Sequence, residues 1–177
     1  MNRLSIFISS LICLLFITGG MVYPQAMPPA TATGHITAEV ISVFTASETA
    51  QMNFGRFSPG PQGGEIILTP ESSIATLGSI YKGSGSHNAA SFYVTGDIDA
   101  SYTITLPSGP VVITNISNAK TMRIENWMSI PSPGVGTGKL QDGFQVVYVG
   151  ATLKVGTITD NPVGLYTGTY TITFDFN

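Results

Sequence analysis

An all-β sandwich is the fold class this sequence predicts, and three observations predict it. From His35 onward apolar residues recur with a period of two. Gly, Pro, Asn, Asp and Ser punctuate that pattern at short intervals. Helix signals are nearly absent. Short alternating runs bounded by turn residues read as antiparallel strands closing on one another as a single immunoglobulin-like β-sandwich.

The chain opens on an export signal. Met1, Asn2 and Arg3 form a short positive start, and Leu4 to Ile17 is an apolar run interrupted only by Ser5, Ser9 and Ser10. Small residues follow at Thr18, Gly19 and Gly20, with Ala26 as the candidate boundary. A charged start, a short apolar core and a small-residue exit are what the secretory machinery reads. The run falls short of the roughly 20 apolar residues a membrane-spanning helix needs, so no span is expected after cleavage. Cys13, the only cysteine, sits within the apolar run behind Leu11 and Ile12 rather than behind a small residue, which argues against lipid attachment. The cleaved chain would have 177 − 26 = 151 residues and no cysteine. With no disulfide or thiolate, its stability rests on core burial.

Residues 27–34, rich in Pro, Ala and Thr, read as a flexible lead-in, and residues 35–177 as the sandwich domain. His35–Phe44 is the first expected strand, followed by Gln51–Phe57 with Met52, Phe54 and Phe57. A turn at Ser58-Pro59-Gly60-Pro61 leads to Glu65–Thr69, Ile74–Tyr81 and Ser91–Thr95, the last with Phe92 and Val94 on one face. Ser101–Leu106 carries Tyr102, Ile104 and Leu106 on one face. Val111–Thr114 and Thr121–Met128, with the lone Trp127, come next. Pro131–Gly138 reads as a long loop before Phe144–Val149 and Ala151–Val155. Tyr166–Phe176 closes the chain, with Tyr170, Ile172, Phe174 and Phe176 on one face and Thr169, Thr171, Thr173 and Asp175 on the other. This is a strand with one wet face. Full burial of those four side chains would contribute about 6–12 kcal/mol.

Composition and motifs exclude more chemistry than they suggest. Only 10% of the residues are charged. Without the signal, six basic residues stand against ten acidic ones, a net charge of 6 − 10 = −4. No basic patch invites nucleic acid. Pro133-Gly134-Val135-Gly136-Thr137-Gly138-Lys139 lacks the spacing, the following Ser or Thr and the helix that a phosphate-binding loop requires. His35 and His87 are isolated, and zinc would need further ligands. Asp97 and Asp99 read as turn formers rather than a calcium or acid–base pair. No Gly-x-Ser-x-Gly elbow occurs. Asn115-Ile116-Ser117 fits the glycosylation pattern. Tyr81, Tyr93, Trp127 and Tyr148 are the aromatic candidates for stacking on a sugar, with Tyr81 and Trp127 foremost, set against plain core roles.

Five segments together carry a family resemblance: Met52-Asn53-Phe54-Gly55, Ala90–Gly96, Tyr102–Pro107, Val149–Gly156 and Gly164–Thr173. In order and spacing they resemble the bacterial secreted family called domain of unknown function 4402, over nearly the whole mature chain. The resemblance implies an exported β-sandwich with no assigned activity and no catalytic residues. More distantly, the ending is similar to that of chaperone–usher pilus subunits and spore-coat-U-like domains, which close on an alternating strand with a penultimate aromatic, here Phe176. Pilus subunits also carry an N-terminal extension that completes a neighbour's sandwich by strand addition. Thr33–Phe44, with Ile36, Ala38 and Val40 facing inward, would serve that role, although the disulfide common in pilins is absent.

The expectation is a secreted, non-enzymatic structural or surface-assembly protein without cofactor or metal, paired with itself or other surface subunits by strand addition. The alternative is an extracellular module that binds a glycan or another ligand.

Overall fold

The computed structural model describes residues 27–40 and 43–176. The expected signal segment, residues 1–26 with Cys13, lies outside them. The chain divides into two units, Met1–Glu39 and Val40–Asn177. In the first, residues 27–39 have no regular secondary structure and every one is exposed.

The second unit is all-β and contains no helix among the described residues. Its strands are β1 (Thr45–Ala50), β2 (Phe57–Leu68), β3 (Ile74–Lys82), β4 (Ala90–Thr95), β5 (Ser101–Thr105), β6 (Val111–Asn115), β7 (Thr121–Ile130), β8 (Gly134–Lys139), β9 (Phe144–Val155), β10 (Tyr166–Thr167) and β11 (Thr173–Phe176). The larger sheet runs β1-β4-β9-β7-β6-β10, with β2 added beside β9 and β3 beside β2. The smaller sheet is β11-β5-β8. All pairings are antiparallel, and the sheets stack as an immunoglobulin-like sandwich.

β9 organises the core. Its odd-numbered residues from Val147 to Val155 point inward, as the two-residue period of a strand requires. Val147 and Val149 join Ala90, Val94, Tyr102, Ile104 and Leu140 in one buried cluster. Ala151, Leu153 and Val155 join Ile66, Met122 and Ile124 in a second. One edge of β9 pairs with β7, and the other pairs first with β4 and then with β2. The exchange of partners falls at Gly150. A Cβ there would lie 2.2 Å from the carbonyl oxygen of Leu68 and 2.8 Å from the nitrogen of Pro70, both backbone atoms. Gly150→Ala is therefore expected to destabilise the domain by about 2 kcal/mol, or roughly 4–8 °C in melting midpoint. A thermal melt checks this, and an unchanged midpoint contradicts it.

Several elements differ from the sequence reading. No strand forms over residues 35–40, where His35–Phe44 was expected to be the first; the first strand among the described residues is β1, paired with β4. β1 (Thr-Ala-Ser-Glu-Thr-Ala) has no apolar alternation to read because Thr45–Thr49 are exposed on both faces. Gln51–Phe57 packs Met52, Phe54 and Phe57 onto the second cluster, but before Phe57 opens β2 it makes only the isolated bridge of Asn53 to Asn88. Ser58–Pro61 is absorbed into β2 through an irregularity between Pro59 and Gly64. The expected Pro131–Gly138 loop contains β8, paired with β5. Its Gly138 is a packing requirement rather than a turn, since a Cβ would stand 2.3 Å from the Tyr102 ring. Phe144–Val149 and Ala151–Val155 are one strand. The closing segment is two: β10 pairs with β6, and after residues 168–172, which form no ladder, β11 pairs with β5 in the other sheet.

Candidate functional site

The smaller sheet ends at β11. One edge of that strand pairs with β5, and the other faces no strand among the described residues. The larger sheet ends at β1, where Ala46 and Glu48 lie opposite Val94 and Phe92 and so point into the sandwich. Both are exposed, so no described residue covers the inner face of β1. The two free ends leave an open seam between the sheets.

Aromatic rings fill the floor of this seam. Phe44 lies 5.6 Å from Tyr102 and 5.8 Å from Phe176, and Phe92 lies 5.8 Å from Phe174 and 6.4 Å from Tyr170. Trp127 lies 4.8 Å from Tyr170. Tyr170, Ile172 and Phe174 are half-buried, while Phe176 is 52% exposed. The alternation read from the sequence is present, but none of the four is fully buried. Their contribution falls below the figure for full burial, because they lie beside the open edge of β11 and stay partly exposed. The indole Nε1 of Trp127 and the hydroxyl of Tyr170 are buried without a hydrogen-bond partner among the described residues, an arrangement that costs free energy. Burial, and then the nearby Glu48 charge, push the Tyr170 hydroxyl well above the ordinary tyrosine range.

Tyr102 anchors the seam from beneath. It is fully buried, and its hydroxyl donates to Gln145 Oε1 at 2.7 Å. Burial pushes this phenol up to about 12. Below pH ~10 the phenol is protonated whether folded or unfolded, and its contribution is fully present. From there to about pH 12 the unfolded chain loses the proton first, so stability falls by on the order of 3 kcal/mol. Tyr102→Phe is expected to flatten that alkaline slope in pH-dependent urea melts, and an unchanged slope contradicts the assignment.

The other sequence candidates scatter. Ile36 and Val40 are 96% and 97% exposed and Ala38 is also exposed, none of them in a strand, so they face inward on no sheet of the described chain. Tyr81, 65% exposed, stands on β3, whereas Trp127 packs between the two core clusters, so they form no shared platform. Asp97 and Asp99 form a turn, with Ala100 N–H donating to the Asp97 carbonyl, and Asp99 pairs with Lys139. Asn115 is buried and its Oδ1 accepts from the Ser117 N–H at 2.9 Å, a structural role that leaves no room for a glycan. No group of three or more metal-ligating side chains occurs among the described residues, and no helix among them is long and apolar enough to cross a membrane. Sequence reasoning missed Phe44 and Glu48, which belong to the seam. Phe44 was legible as the last apolar residue before a polar run.

A family model for a domain of unknown function (DUF4402) matches residues 44–176. The chain belongs to the DUF4402 family. No curated protein and no solved structure matches it. The DUF4402 match begins at Phe44, whose ring sits in the seam, and it leaves Ile36, Ala38 and Val40 outside the family unit.

Proposed function

We propose that this DUF4402 chain is an exported, non-enzymatic surface-assembly subunit whose sandwich is completed by a strand from another subunit. The observation that carries this reading is the unpaired edge of β11 facing the uncovered inner face of β1, with half-buried rings between them. A strand laid there would pair its peptide groups with β11 and cover the apolar floor, the mode of strand addition to an open sheet edge. The segment Ile36–Val40 suits the place. Its alternate residues Ile36, Ala38 and Val40 are apolar, it lies outside the family unit, and it spans about 14 Å, the length of five strand residues. β11 is short and carries Asp175 on its wet face, features that discourage indiscriminate pairing of an edge.

The test is made on full-length protein expressed in an export-competent bacterial host. The expected result is a processed chain outside the cytoplasm that migrates as SDS-resistant multimers before boiling. Ile36→Asp combined with Val40→Asp should remove the multimers while leaving the melting midpoint of the monomer unchanged. Retention in the cytoplasm, monomer alone at every concentration, or multimers indifferent to both substitutions would each overturn the reading.

A further inference from the structure

The outer face of the larger sheet is divided into two chemically different halves. At one end, cross-strand neighbours place Glu65, Lys154 and Arg123 in one row and Glu125 in the next, and Lys154 pairs with Glu65. At the other end, the rows contain no charge. They read Thr45, Thr95 and Phe144; then Ser47, Tyr93 and Val146; then Ser91, Tyr148 and Ile130. These side chains point outward because their neighbours Val94, Val147 and Val149 point into the core.

On this uncharged half, Tyr93 and Phe144 stack at 5.6 Å with 26° between their planes. They are 37% and 43% exposed, and Tyr148, two residues beyond Val146 on β9, is 45% exposed. Hydroxyls flank the rings. Thr45 and Thr95 share a hydrogen bond of 2.8 Å, and Thr49 and Ser91 share one of 2.7 Å. The Thr45–Thr95 pair uses one proton and keeps a second proton and several lone pairs for an outside partner, whereas Thr49 also donates to the Ser91 carbonyl at 3.1 Å, so the Thr49–Ser91 pair offers lone pairs.

We propose that this face binds a neutral polysaccharide. The aliphatic C–H face of a pyranose ring carries partial positive charge and packs on the negative face of an aromatic ring. The hydroxyls of the flanking Thr and Ser match those of a sugar as both donors and acceptors. An anionic glycan finds no cation in these rows, in a chain of net charge −3. A second copy of the chain is the poorer occupant. Four strands and five residues of length cover about 14 × 14 Å, or roughly 200 Å², by strand geometry. A stable protein interface needs about 800 Å² from each partner. The face lies away from the seam, so this inference stands independently of strand addition.

Retention on microcrystalline cellulose, on chitin and on insoluble β-1,3-glucan tests it, with heparin–agarose as the charged comparison. The expected result is retention on at least one neutral matrix that persists in about 1 M salt, where charge attraction is screened. Tyr93→Ala and Tyr148→Ala should each lower retention about ten-fold or more, and Tyr81→Ala should leave it unchanged. Circular dichroism confirms that the variants remain folded. Retention on none of the three neutral matrices overturns the proposal, as does binding confined to heparin and lost in salt. Self-association of the wild type that Tyr148→Asp abolishes would make the face an interface between copies, and the proposal would fall.

Discussion

Deleting Tyr170–Asn177 is expected to abolish cooperative unfolding of the domain. The deletion removes β11, one of only three strands in the smaller sheet, and leaves β5 with β8 alone. It also removes the rings that cover Phe92 and Trp127 and two of those against Tyr102 and Phe44. Even at half burial, four large apolar side chains and a strand ladder represent a substantial part of the roughly 5–15 kcal/mol that holds a typical domain together. The check is a heat or urea melt followed by near-ultraviolet circular dichroism. A single sharp transition in the truncated chain would contradict the expectation.

Tyr102→Ala should be the most damaging single substitution among the core residues, at about 3–5 kcal/mol. Tyr102 is the largest fully buried side chain. Its ring lies 5.6 Å from Phe44 and 6.1 Å from Phe174 and fills the hollow left by Gly138. Its hydroxyl donates to Gln145 Oε1, which also accepts from the Lys139 N–H at 2.9 Å. Truncation thus opens a cavity and takes away one donor from a half-buried acceptor. The melting midpoint should fall by roughly 6–20 °C, and a fall of only a degree or two would show that the site collapses without loss.

The fold was legible wherever one face of a strand is buried and the other wet. Tyr102 and Ile104, or Tyr170, Ile172 and Phe174, announce their faces by alternation, and the structure places them accordingly. Legibility failed where alternation has no physical cause. Thr45–Ala50 is a strand with no described residue over its inner face, so no selection for apolar residues marks it. Gly134–Lys139 reads as a loop because its glycines look like turn formers, whereas Gly138 makes room for an aromatic ring belonging to another strand. The split of the last segment between two sheets is likewise invisible in a pattern that continues unbroken through it. Of the candidate site, the C-terminal apolar residues were readable. The seam itself was not, because an open edge is a property of topology. Nor was the outer aromatic face, since Tyr93 and Phe144 meet only through the register of β4 and β9.

That both clusters hang on one twelve-residue strand has a mechanical consequence. A fracture beginning at either end must run the length of Phe144–Val155, since the same backbone anchors both halves. The domain should therefore break as a single brittle piece rather than shed one half. Under native conditions the amide protons of Val147 and Leu153 should exchange with solvent at matching, slow rates.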